Sequence, residues 1–394
     1  MLLFTASPEA SQKNIALEYL NTFRIQSGLI PLRSDRLLDK AAISHAHYLL
    51  RQQKIGHYEK SGMKGYTGKT PSDRVIYHGY PSKDVMENVT VNVKSGKESV
   101  EKLFAAIYHR FVFLSLDKDQ IGIGKALTQK QRSINKAYVY NLGSSRQSRL
   151  CKDDFLAVSG VEYMKNVCKE KRKLVPRNLY EQQKKETRLQ NAKAVLYPFP
   201  GQKEVPPVFY EEYPDPLPDY SVSGYPVTVQ FNPAYCKRIK MISFKLYDKY
   251  KKEVKGTRLF THKSDPNRRL KRGEYALMPL KRLEYAAEYT VEVEAELDGR
   301  SYQKRWSFTT EIPKEKLYRI TKKKSGFEFK AGESVWLYFV PGTPDDTLKR
   351  YKVRGKTKVS FYDQNTLKVT FPETYRGNIT FKAGGREVIF RQKQ

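Results

Sequence analysis

The chain of 394 residues has little cysteine, three residues, and only two tryptophans. Three thiols exclude a disulfide scaffold, which needs several bridges to replace a core. Cys151 and Cys168 are near enough in sequence to close a short loop, either as a disulfide or as two buried thiols, and Cys236 is left over. No apolar run approaches the roughly 18 residues of a membrane-spanning helix, which excludes such a span. Acidic residues are also in short supply, 42 against 73 Lys and Arg, for a net charge of +31. What is present in quantity is core-forming material, 39% hydrophobic and 12% aromatic. At roughly 100 to 200 residues per domain, this length predicts two to four domains, each able to bury its own core.

The charge points to an anionic partner: nucleic acid, a phosphate-rich cell surface or an acidic polymer. Its distribution narrows that choice. Residues 1–150 hold 23 Lys and Arg against 12 Asp and Glu, so the excess is spread along the chain and not gathered on one element. There is no ribonucleoprotein aromatic signature, no Cys/His finger spacing and no basic region followed by heptads. Specific nucleic-acid recognition is therefore not expected, and the short clusters at 169–173 and 322–324 read as solvated surface. Residues 1–7, MLLFTAS, start apolar but lack a basic flank and a full apolar stretch, so they predict either a cytoplasmic chain or one whose export signal has been trimmed.

Residues 8–150 read as a mixed α and β domain. The stretch 11–27 places Ile15, Leu17, Leu20 and Phe23 on one helical side and ends at Gly28. A second helix starts after Ser34 or Asp35 and runs to Gly56, and a third covers 97–108. Two short β-rich stretches follow at 120–126 and 136–142. Residues 151–190, charged and with few breakers, predict a helical connector. Seven prolines between positions 198 and 218 forbid a helix there. Alternating runs then predict a β-sandwich over 191–312, with Asp298-Gly299 as a hairpin turn, and a smaller all-β domain over 315–394.

Few residues offer chemistry. His57 follows Gly56, Glu87 lies in Met86-Glu87-Asn88-Val89, and His109 precedes Arg110. Their spacing is not that of a metal motif, and a lone histidine is more often a capped or core residue than a ligand. His45 and His47 point to different sides of the second helix, while His78 and His262 read as structural. Ser61 and Ser72 have no Ser/His/Asp signature. The sequons at Asn88 and Asn378 are of the number chance supplies.

The order of these elements is more specific than any one of them. Residues 20–59 resemble the opening of a CAP domain, the superfamily of cysteine-rich secretory proteins, antigen 5 and pathogenesis-related 1 proteins. Pro71-Ser72-Asp73-Arg74, Met86-Glu87-Asn88-Val89, His109-Arg110 and Ile121-Gly122-Ile123-Gly124 continue the series in the order of bacterial members. The resemblance implies an α-β-α sandwich with a cleft lined by two histidines and two acids, in some members around a divalent metal, and an extracytoplasmic location. It assigns His57, Glu87 and His109 to that cleft. The second acid would fall near Ala106, which cannot serve, and Asp117 stands where eukaryotic members carry a histidine. The proline-rich stretch and the ending Trp306-Ser307-Phe308-Thr309-Thr310 resemble, more loosely, an immunoglobulin-like domain that follows CAP domains in some bacterial proteins.

The combined expectation is an α+β chain: an N-terminal α-β-α sandwich, a helical connector and two all-β domains, the first a β-sandwich. The leading functional expectation is an extracytoplasmic protein that binds a lipid, glycan or peptide through His57, Glu87, His109 and Asp117. Its β modules would attach it to an anionic envelope polymer or lipid surface. The alternative is a hydrolase in which His57 and His109 hold zinc and Glu87 accepts a proton from its water. A nonspecific polyanion or nucleic-acid binder is the third, resting on charge alone.

Overall fold

The computed structural model describes residues 8–374 and 377–393; residues 1–7, read above for export, lie outside them. Helix α1 (Pro8–Gln26) ends where Gly28 turns to φ 87°. Helix α2 (Arg36–Gln52) is capped by the Asp35 carboxylate, which accepts from the Leu37 and Leu38 amides. It buries Leu38, Ala41, Ala42, His45, Ala46 and Leu49 at the i, i+3, i+4 spacing of one face. It stops before Gly56, because Gln53 already takes the left-handed conformation at φ 55°.

A four-stranded sheet, in the order β1, β3, β4, β2, carries these helices. Its strands are β1 (Arg33–Ser34), β2 (Met86–Val91), β3 (Gln120–Leu127) and β4 (Lys136–Gly143). Side chains alternate across it with period two. On one face Ile121, Ile123, Tyr138, Tyr140 and Leu142 join Leu20, Phe104 and Phe113. On the other, Val89, Val91, Ala137 and Val139 join Ala42, Ala46 and Leu49 of α2. Gly122 and Gly124 let α2 lie directly on β3: a Cβ at either would stand 2.0–2.1 Å from the backbone of Leu38 or Ala42.

Two elements differ from expectation. The segment 71–77, for which the sequence predicts no helix, is helix α3 (Pro71–Tyr77), nucleated by a capping box in which Thr70 and Asp73 satisfy each other's amides. The single third helix is two, α4 (Gly96–Ala105) and α5 (Ile107–Phe113), because Ala106 is extended at ψ 119°. The break turns the chain so that His109 lies inside α5 and not at a helix end.

The 151–190 connector is helical only in its last third. Helix α6 (Ser145–Leu150) precedes it. A disulfide joins Cys151 to Cys168, and a two-residue pairing of Tyr163–Met164 with Val175–Pro176 follows before helix α7 (Arg177–Leu189). A closed loop cannot keep the continuous axis of a helix, and Pro176 supplies no amide to extend α7 backwards. Cys236 is buried and free. Thiol titration of the denatured, unreduced chain is therefore expected to count one thiol, rising to three after reduction; three at the outset would remove the bridge.

The proline-rich stretch leads into two facing sheets. One holds Ala194–Tyr197, Val227–Phe231, Thr257–Thr261 and Glu274–Pro279; the other holds Ile239–Tyr247, Glu288–Leu297 and Arg300–Thr309. The Asp298-Gly299 hairpin pairs Leu297 with Arg300. The apolar core of this sandwich is continuous with that of the N-terminal unit, since Phe23 and Phe104 pack on Tyr197 with ring centroids 5.8 and 4.8 Å apart. Beyond residue 315, two further four-stranded sheets enclose their own cluster of Ile320, Leu337, Val369, Phe381 and Phe390. Arg282 of the sandwich reaches Asp363 there at 2.7 Å.

Candidate functional site

Glu87 on β2 is the hub of a buried polar network. It shares the face of Val89 and Val91, so period two aims it at α2 and α3 and not at solvent. Its Oε1 accepts from His57 Nδ1 at 3.0 Å, and its Oε2 accepts from Arg74 Nη2 at 2.7 Å. Asn141 on β4 stands opposite in register, and with its amide nitrogen turned inward it donates to Oε2 at 3.0 Å. Burial alone would raise the Glu87 pKa, but the Arg74 guanidinium and the His57 hydrogen bond outweigh it and hold the carboxyl below its usual range. Glu87 is thus an ionised, fully paired acceptor at neutral pH.

Arg74 is the organiser. It is fully buried and donates to the His57 carbonyl at 3.0 Å as well as to Glu87, with Glu59 3.8 Å away. Glu59 in turn faces His45 Nδ1 at 2.9 Å, and the other nitrogen of His45 meets the Gly56 carbonyl at 2.9 Å. His45 is therefore a buried member of the site's scaffold, while His47 is exposed. Within the Ser-Asp-Arg stretch, Asp73 belongs to the capping box of α3 and Arg74 is the residue that enters the network.

His109 reaches the same place from α5. Its ring centroid lies 6.5 Å from that of His57, and their side chains are 17% and 39% exposed. The second acid comes from outside the N-terminal unit. Glu212, in the proline-rich segment, accepts from the Tyr108 amide at 3.1 Å and faces His109 Nδ1 at 3.3 Å. It also caps α5, whose Ala106 has no capping side chain. Burial pushes its pKa up, against the opposing pull of His109 and of the helix amides, and its Oε2 is a buried oxygen with no hydrogen-bond partner among the described residues.

Asp117 is not in this group. Its carboxylate is tied to Arg188 of α7, with Arg188 Nη2 at 3.0 Å, and it serves to fix the connector. His57, Glu87 and His109 are thus brought together and Asp117 is placed elsewhere. Sequence reasoning missed Arg74, Glu59, Asn141 and Glu212. The first two lay within reach, as charged residues in a segment rich in landmarks. Glu212 had no signal, since nothing in Tyr210-Glu211-Glu212-Tyr213-Pro214 sets it apart from a solvated loop.

The arrangement does not fit a resident metal. Among the described residues no group of three or more His, Cys, Asp or Glu side chains is spaced to hold one. The reason is visible in the donors: Glu87 is taken up by Arg74 and His57, and Glu212 meets a histidine and a helix amide. What the geometry does provide is two histidines, each oriented through Nδ1 by a buried carboxylate. Neither Nε2 makes a hydrogen bond among the described residues.

Residues 17–141 match the model of the cysteine-rich secretory protein family, the CAP family. Among solved structures the chain is similar to an outer surface protein of Borrelia burgdorferi, at 19% identity over 36% of this chain and 96% of that one, with TM-score 0.30. It is also similar to an extracellular SCP-domain protein of Bacillus anthracis, at 16% identity over 36% of this chain and 45% of that one, with TM-score 0.30. The chain therefore spans less than half of the second protein's length. No curated protein matches the chain. The helix that lies on a glycine-bearing strand, the buried Glu87 and the two facing histidines all fall within the matched residues or at their surface, and residues 17–141 form a CAP domain of the cysteine-rich secretory protein family, followed by a β-rich region.

Proposed function

We propose that this chain is an extracytoplasmic binding protein whose CAP cleft takes a polar ligand between His57 and His109. The observation that carries the reading is the pair of facing imidazoles, 6.5 Å between centroids, each oriented through Nδ1 by a buried carboxylate. An ionised Glu87 accepts from Nδ1 of His57, which turns the Nε2 edge of the ring toward the cleft with no hydrogen-bond partner among the described residues. Such a site suits hydroxyl or amide groups, which a glycan or a peptide offers. Nothing in it makes a nucleophile, so binding accounts for the geometry better than hydrolysis does. Location outside the cytoplasm is supported by the Cys151–Cys168 bridge, which a reducing compartment would open. We take 191–312 and 315–394 as attachment modules, and the +31 charge suits an anionic envelope surface.

The test is a titration of the isotope-labelled full chain with soluble peptidoglycan fragments, followed through the histidine ring nitrogens. Saturable shifts of the His57 and His109 Nε2 signals are expected, weakened about tenfold or more in Glu212→Ala, which frees the His109 ring. Signals that stay put at saturating fragment concentration would sink the reading for this ligand class.

A further inference from the structure

The loop closed by Cys151 and Cys168 carries a feature that the cleft does not use. Residues 155–161 read Phe-Leu-Ala-Val-Ser-Gly-Val, a run without charge in a chain that is 29% charged. Leu156 is 89% exposed, Val158 59% and Val161 40%. With Phe155, Tyr163, Pro176 and Leu179 they line an open groove of about 520 Å³, bordered also by Asp154 and Asn178. A contiguous apolar surface of this kind marks an interaction site more often than chance. It is also held in shape. The Tyr163 hydroxyl accepts from the Val158 amide at 2.8 Å and donates to the Leu156 carbonyl at 3.2 Å, and the disulfide closes the loop behind it.

The rim decides what such a tip fits. Lys173 and Arg177 neutralise Asp154 and Glu162 in ion pairs of 3.2 and 2.9 Å. Lys152, Lys165, Lys169, Lys171 and Arg172 are exposed and make no ion pair among the described residues, against Asp153 and Glu170 alone of opposite sign. A protein groove would need only the apolar tip. An excess of unpaired cations in the same disulfide-closed segment and the residues that follow it complements a plane of phosphates, with the methyl groups below the headgroups.

We propose that residues 155–161 are a membrane-docking tip that inserts Leu156 and Val158 into the interface of a bilayer rich in anionic phospholipid. The disulfide keeps the tip preorganised, so docking orders no new chain. The experiment is co-sedimentation of the full, oxidised chain with vesicles of phosphatidylcholine alone or of equimolar phosphatidylglycerol and phosphatidylcholine. Binding to the anionic vesicles is expected to be about tenfold or more tighter than to the neutral ones. The Leu156→Asp/Val158→Asp variant should lose about tenfold or more of that affinity, since it puts charge where the apolar contact forms. Both side chains are exposed, so the variant keeps its fold, which an unchanged circular dichroism spectrum and thiol count verify. In Leu156→Trp, emission should shift to the blue on adding anionic vesicles. Equal binding by the double aspartate variant would show that diffuse charge alone draws the chain to the vesicle and would overturn the proposal. So would wild-type dimers in sedimentation that the variant abolishes without any vesicle binding, because the tip would then join two copies of the chain.

Discussion

Arg74→Ala is expected to lose about 3–5 kcal/mol of unfolding free energy at neutral pH, the cost of breaking a buried ion pair by removing one partner. Arg74 is 0% exposed and stands between two buried carboxylates, Glu87 at 2.7 Å and Glu59 at 3.8 Å. Deleting it removes the charge that offsets their desolvation and leaves the His57 carbonyl without its donor. The pH dependence has a definite sign. In the wild type the folded-state pKa of Glu87 lies below the ordinary value of 4.5. The stability it contributes is therefore present above that value and lost as pH falls through the folded pKa. In Arg74→Ala the burial of Glu87 loses the largest of the charges that oppose it, so the variant should regain part of its loss on acidification. Urea unfolding at neutral pH and near pH 4.5 reads both effects. Adding Glu87→Gln to Arg74→Ala should restore part of the neutral-pH loss, since it removes the orphaned charge. A single variant as stable as wild type at neutral pH would show that this network does not hold the domain.

Arg110→Ala is expected to cost a similar amount, about 3–5 kcal/mol, and to uncouple the CAP domain from the sandwich. Arg110 is buried without a carboxylate partner. It donates instead to the Phe104 and Pro226 carbonyls, both at 2.7 Å, and to Thr228 Oγ1 at 3.3 Å. Its guanidinium lies 4.7 and 5.0 Å from the ring centroids of Tyr197 and Tyr225. One side chain therefore ties the end of α4 to a strand of the sandwich, and alanine would leave both a cavity and two unpaired carbonyls. Wild-type unfolding should be cooperative across this shared core; the variant should unfold in two separated steps, resolved by circular dichroism and intrinsic fluorescence in urea. Arg110→Met, which refills the space without donors, should recover only the packing part. Superimposable curves for wild type and Arg110→Ala would remove the coupling role.

His109-Arg110 shows how unevenly function is written along a chain. As a sequence motif, the pair reads as one unit. In the fold, His109 faces the cleft while Arg110 is buried in the opposite contact, because neighbours on a helix point about 100° apart. Ala106 is another instance. Nothing in 97–108 breaks the helical pattern, yet the chain turns extended there and Glu212, from another module, caps the new helix.

What the sequence determined by itself is what local chemistry controls. The Asp35 cap, the apolar face of α2 and the Asp298-Gly299 turn each depend on a few neighbouring residues. Their order along the chain was enough to place His57, Glu87 and His109 in one domain. The tertiary structure alone decided which charges share that site. It replaced Asp117 by Glu212, drew in Arg74, Glu59 and Asn141, and turned half of the supposed helical connector into a disulfide-closed loop. A buried carboxylate is selected by the desolvation it suffers and by the donors that reach it. Both are set by segments as distant as residues 87 and 212, whose approach no periodicity or spacing in the sequence records.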